Sequence, residues 1–124
     1  MAIWKITWNK NLYDYKARIN DFIDNGNDII SQSKGQALMK NIPREGDIAY
    51  ISCDKKLIMK VKVISKFQKN NIGDSDKFDI NNVSAPHRTH EYNFLKILKI
   101  YNNNMEFKGN QRTWTQLNTL PINN

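Results

Sequence analysis

The residues of this chain best suited to chemistry are aromatic and basic rather than nucleophilic. "WKITW" occupies residues 4–8, and "GNQRTW" sets Arg112 and Thr113 directly before Trp114 and close after Gly109. A strand of period two puts Trp4, Ile6 and Trp8 on one face and Lys5 and Thr7 on the other. Aromatic faces bordered by polar donors are what a nucleobase requires, because rings stack on the base while hydroxyls, amides and backbone groups read its edge. A basic surround holds the phosphates, and a deep pocket offsets the unstacking of an extruded base. Trp4, Trp8, Tyr13, Tyr50 and Trp114 are too many large rings for the centre of so small a core. Trp4 reads as core. Trp8 ends its run before the polar "NKN" and, like Trp114, fits either a core or a pocket wall.

Other chemistries find less support. The sequence has no GxxxxGK[ST], GxGxxG or HExxH. His87 and His90 stand three apart in "PHRTH", where a metal would need a third ligand such as Asp79 or Glu91, and they read as solvated polar residues. Asp74, Asp76 and Asp79 lack the glycine and terminal glutamate of a calcium loop. Cys53 is the single cysteine, which rules out an internal disulfide and a cysteine-based zinc cluster, and its place at a hairpin turn reads as structural. The expectation is no catalytic set, no metal and no cofactor.

The net charge is +7 over 124 residues, which favours a polyanion partner. The basic residues are 15 Lys and 4 Arg, accompanied by 18 Asn and 16 Ile. Lys, Asn and Ile share A/T-rich codons, so an A/T-rich genome enriches all three without selection for function, and the arginines are the more informative cations. No apolar run approaches the roughly eighteen residues a membrane span needs. The reading is one intracellular domain, cytoplasmic or nuclear, over residues 1–124, with no membrane association.

The elements that must position these residues can be read from periodicity. Residues 3–8 alternate as a strand. Tyr15, Ile19, Phe22 and Ile23 predict a helix from Asp14 to Asn25 that stops at Gly26. Ser33 and Gln36 have the form of a capping box opening a short helix to about Asn41, which Pro43 prevents from continuing. "GDIAYISCDKKLIMKVKVIS" predicts a hairpin turning at Cys53–Lys56, with Leu57, Met59, Val61 and Val63 on one face and Lys60 and Lys62 on the other with Ile58 and Ile64. Residues 68–90 lack periodicity and read as a long excursion. "EYNFLKILKIY" and "QRTWTQLNTLP" predict further strands. This order indicates an α+β fold, with a small curved mixed or antiparallel sheet, barrel-like and flanked by short helices.

The succession resembles the PUA-like superfamily in its EVE and YTH branches. "WKITW" resembles the first strand of EVE-type domains, "SKGQALMKNIPREGDIAYIS" the short helix followed by Gly-Asp and a strand, and "LIMKVKVIS" the next strand. "FLKILKIYNNNMEFKGNQRTW" is similar to the late strand and Arg-bearing turn near the YTH pocket. The resemblance implies recognition of a modified base in RNA or DNA. By position the family pocket would draw on Lys5, Thr7 and Trp8, on Ser31, Gln32 and Ser33, and on Asn110, Arg112 and Trp114. Stacking would fall to Trp8 and Trp114, edge contacts to Ser31, Ser33 and Asn110, and phosphate contacts to Lys5 and Arg112. Where YTH domains and many EVE domains carry a tryptophan, this chain has "IISQS", so a cage would use Trp8 and Trp114, or Tyr50. The expected partner is RNA or DNA, single-stranded or with an extruded base.

Two other readings stay open. The ASCH branch of the same superfamily includes ribonucleases and small amidases, for which Lys5, Thr7 and Arg112 would be recruited, although no carboxylate is well placed in the candidate pocket. A viral or mobile-element factor that binds a host protein is the other, and it would work through an exposed apolar patch.

Overall fold

The computed structural model describes residues 1–35, 40–68, 78 and 91–122. His87, His90, Asp74, Asp76, Asp79 and Gln36 lie outside the described residues, as does most of the 68–90 excursion. The elements are β1 (Ile3–Trp8), α1 (Tyr15–Asn25), β2 (Ile29–Ser33), β3 (Ile48–Cys53), β4 (Lys56–Val63), β5 (Tyr92–Ile100) and β6 (Trp114–Leu117). The six strands form one mixed sheet in the order β2-β5-β4-β3-β1-β6. β1 runs parallel to β3, and every other pairing is antiparallel.

β1 obeys the period of two: Trp4, Ile6 and Trp8 are buried, while Ile3, Lys5 and Thr7 are half-buried. Its inner face joins Ile30, Ala49, Ile51, Met59, Val61, Val63, Leu95, Ile97 and Trp114 in the main core. Trp114 packs edge-on against both Trp4 and Phe67, at centroid distances of 6.0 and 5.7 Å. Tyr13 and the half-buried Tyr15, Ile19 and Phe22 close one side of this core, whereas Ile23 of the same helix is exposed.

Local chemistry sets the element ends. Asp14 caps α1 by accepting from the Ala17 N–H, and Gly26, in the left-handed region, ends it with its own N–H donating to the Phe22 carbonyl. Asp54 and Lys55 both have positive φ, the backbone a two-residue type I′ hairpin turn requires. Register then shifts between Ile51 and Ser52, and this bulge moves Leu57 off the expected apolar face. Leu57 packs instead on the outer surface of the sheet with Tyr50 and Tyr101, beneath Met105 and Phe107 of the strap that joins β5 to β6.

One expectation requires correction. "IISQS" is itself a strand, β2, paired with β5. Its alternation is disguised because Gln32 occupies the inward position after Ile30, and Gln32 is buried. Ser33 Oγ accepts from the Gly35 N–H two residues on, and the short helix expected from Ser33 to about Asn41 falls on residues 36–39, outside the described residues. Among the described residues there is one helix, α1. Arg18 of α1 was not foreseen as buried. Its guanidinium donates to the carbonyls of Asn27 and Ile29, pairs with Asp21 at 3.3 Å, and lies over the Phe78 ring. It thereby locks the helix end to the start of β2.

At the opposite end of β1, the buried Asp47 carboxylate accepts from the Ala2 N–H, the Arg44 N–H and the Trp4 indole N–H, at 3.0, 2.9 and 3.0 Å. Burial alone would raise its pKa, but these hydrogen bonds outweigh burial and hold it below the ordinary value. A depressed carboxylate pKa contributes stability that is complete above the unfolded value, about 3.9, and is lost as pH falls through the folded value. Asp47→Asn should therefore flatten the decline in stability below about pH 4, besides weakening the fold at neutral pH. Urea unfolding across that range checks this, and an unchanged acid dependence would exclude Asp47 as the group responsible.

Candidate functional site

The sheet curls far enough for its two edge strands to meet. β2 and β6 stand at opposite ends of the strand order, yet the Trp114 indole N–H donates to the Ser33 carbonyl at 3.0 Å. One strand in from that edge, the Trp8 indole N–H donates to Gln32 Oε1 at 2.8 Å, and the Gln32 amide donates onward to the Ser33 carbonyl. The backbones come so close that a Cβ on Gly35 would lie 2.9 Å from Thr113 Oγ1.

Over this seam lies a cleft of about 940 Å³. Its wall on one side is Trp8 and Tyr13, with centroids 4.3 Å apart and planes inclined at 44°. Thr7, Ser31, Gln32, Ser33, Asn110 and Gln111 add hydroxyls and amides, and Lys10, Lys55 and Arg112 add positive charge. Ser31 also lines the cleft, with its Oγ buried and without a hydrogen-bond partner among the described residues.

The structure thus brings together Thr7, Trp8, Ser31, Gln32, Ser33, Asn110 and Arg112 from three distant stretches of sequence. Three expected site residues lie elsewhere. Trp114 is core, 3% exposed, and reaches the seam through its N–H alone. Tyr50, 2% exposed, belongs to the apolar cluster under the strap. Lys5 leans outward over the Phe107 ring and donates to the Lys108 carbonyl at 3.0 Å. Lys5 stands beside Tyr50, its register partner, two residues short of Thr7, whose end of β1 reaches the cleft. Nor is Trp8 an open platform. It is 8% exposed, one flank is occupied by Tyr13, and its N–H is spent on Gln32.

Sequence reading missed Lys10, Tyr13, Asp54, Lys55 and Tyr92 as lining residues. "NKN" after the first strand and the "CDKK" turn were visible, but the parallel pairing that sets the Trp8 end of β1 beside Cys53 was not. Against the expectation of no well-placed carboxylate, Asp54 lines the cleft, 3.0 Å from Lys10 Nζ, and accepts from the Tyr15 hydroxyl at 3.4 Å. The hydrogen bond from Lys10 lowers the pKa of Asp54, and the same bond raises that of Lys10. Burial, then the Asp54 charge, raises that of Tyr15. All three move away from neutrality, the opposite of what a general acid or base needs. Cys53 beneath them is buried and its thiol is pushed up to about 11, chiefly by burial, which makes it a poor nucleophile. No group of three or more metal-ligating side chains occurs among the described residues, and no described helix is long and apolar enough to cross a membrane.

Gly109 is where the strap meets the cleft. A Cβ there would collide with Thr7 Cγ2, while the neighbouring Asn110 N–H donates to Thr7 Oγ1 at 3.0 Å. Gly109→Ala should cost about 1–3 kcal/mol through overpacking. Thr7→Ser keeps the hydroxyl and removes the clashing methyl, so the double variant should recover most of that loss. A double-mutant cycle on unfolding free energies measures it, and strict additivity would disprove the close contact.

No family model and no curated protein matches the chain. Among solved structures it is similar to Rpa0253 from Rhodopseudomonas palustris, determined by NMR, with a TM-score of 0.45 and 11% sequence identity over 81% of this chain. The present chain spans 63% of the length of that protein.

Proposed function

We propose that the protein is a non-enzymatic nucleic-acid-binding module of PUA-like type that takes a modified or unpaired base of RNA or DNA into the seam cleft. One observation carries this reading: the cleft lining combines a Trp8–Tyr13 aromatic wall, a row of amides and hydroxyls, and the cations Lys55 and Arg112, with Lys10 paired to Asp54. These are the three components of base recognition, namely ring surface, edge donors and phosphate partners. The division of labour shifts from the one expected. Tyr13 takes the aromatic role expected of Trp114, and Lys55 replaces Lys5.

The ribonuclease reading gains a cleft carboxylate in Asp54. Its charge is committed to Lys10, however, and the pKa directions of Asp54, Lys10 and Tyr15 favour fixed charges over proton transfer. Binding is the better account. An intracellular setting, in cytoplasm or nucleus, suits such a partner.

Tryptophan fluorescence titrated with short single-stranded RNA and DNA, with and without methylated bases, tests the proposal. Saturable quenching that prefers a modified or unpaired base and persists at moderate salt is expected. Arg112→Gln should weaken every oligonucleotide alike and reduce the salt slope by about 1. Tyr13→Leu should abolish the preference between bases. Binding indifferent to the base that vanishes with salt would defeat the proposal, and turnover of labelled RNA by substoichiometric protein would replace it with the enzyme.

A further inference from the structure

The outer surface of the sheet carries a second basic region, built on β4 and β5 rather than on the seam. Register places Lys60 opposite Lys99 and Lys62 opposite Lys96. The four side chains therefore rise from one face of two strands about 4.8 Å apart, in rows about 6.8 Å apart along the strands. Like charges directly opposite each other destabilise an antiparallel pair, and here two such pairs follow in succession.

A backbone irregularity creates the arrangement. Lys96 and Lys99 are an odd number of residues apart, so a regular strand would send them to opposite faces. The register shift between Lys60 and Val61 leaves Leu98 as the unpaired residue, and this bulge turns both lysines outward. Lys62, Lys96 and Lys99 are exposed and Lys60 half-buried. Lys60 and Lys99 sit over the rings of Tyr50 and Tyr101, at 6.0 and 5.2 Å. Among the described residues the quartet's ion-pair partner is Asp28, 3.9 Å from Lys96, while Lys60, Lys62 and Lys99 have none.

We propose that this lysine quartet is a second nucleic-acid surface, which binds the sugar–phosphate backbone of a duplex. Fixed cations in two rows complement a regular array of phosphates. The tyrosine rings among them are covered, since Tyr50 and Tyr101 pack with Leu57 beneath Met105 and Phe107 of the strap and carry Lys60 and Lys99 above them, so the face offers no open ring on which the bases of a single strand would stack. Its neighbours, the exposed Leu98 and Ile29, carry no side-chain groups that would read base edges. The surface reads charge and goes beyond the cleft, since the duplex needs no extruded base.

The test is fluorescence anisotropy of a labelled blunt duplex of unmodified sequence over a salt series, using the full chain and a variant with Lys60, Lys62, Lys96 and Lys99 all changed to Gln. The variant should lose at least about tenfold in affinity at low salt, and its slope of log K against log salt should fall by about 3 to 4. Its thermal midpoint should rise as the repulsion is removed, which shows that it is folded. It should retain the wild-type preference among single-stranded oligonucleotides in the fluorescence titration. Equal duplex affinity in variant and wild type overturns the proposal, as does loss of both binding modes together, or wild-type binding to anionic lipid vesicles but not to the duplex. If no oligonucleotide quenches the wild type, the cleft reading fails while the duplex measurement still decides this one.

Discussion

The contact between the two edges of the sheet is the constraint on which the rest of the molecule depends. An open six-stranded sheet would leave β2 and β6 as bare edges far apart. Here the indole N–H groups of Trp8 and Trp114 reach across to Gln32 and to the Ser33 carbonyl. Both donors are buried and must be satisfied, so the curl of the sheet and the pairing of these groups are coupled. A buried tryptophan would otherwise hold its N–H in apolar surroundings at a cost of about 1–3 kcal/mol. The same coupling explains why a glutamine occupies an inward position of β2.

The cleft follows from that closure. Once β2 is held against β1 and β6, the chain leaving β1, the β3–β4 turn and the end of the strap converge on a single rim. The strap is fixed there by its own bonds: Ser52 Oγ to the Phe107 carbonyl, the Phe107 N–H to the Lys55 carbonyl, and the Asn110 N–H to Thr7. The polar lining is thus carried on a rigid frame. Its principal side-chain ion pair, Lys10 with Asp54, also spans two of these segments. Such a rim positions donors in advance, which reduces the ordering that binding must otherwise impose.

How much of this was legible in the sequence varies with the physics behind each element. α1 was legible because its cap and stop are local, in Asp14 and Gly26. So was the alternation of β1, since one face is wholly buried, and so was the hairpin turn at Asp54–Lys55. β2 was not, because a polar side chain at an inward position breaks the period that marks a strand, and its partner Trp8 is 24 residues away. The bulges at Ile51/Ser52 and Lys60/Val61 were equally hidden, and they decide which faces Leu57 and Lys99 occupy. Seven of the ten expected site residues line the cleft. Lys5 and Tyr50 do not because they lie against Phe107 of the strap, and Trp114 because its ring fills the core.

Charge shows most plainly why composition needs placement before it carries meaning. A lysine-rich, asparagine-rich chain can owe its +7 to the base content of its genome, and lysines scattered by codon usage would spread across the surface among acids. Two sets here are not scattered. Lys10, Lys55 and Arg112 all line the aromatic cleft, with Asp54 compensating Lys10. Lys60, Lys62, Lys96 and Lys99 gather on the outer face through a bulge and two repulsive register pairs. Codon usage can supply lysines, but it does not select the backbone irregularity that makes four of them coplanar. A sheet of the same backbone would be more stable with an acid at one of each facing pair, so the lysine pairs cost stability at a place where the bulge, not composition, has brought them together.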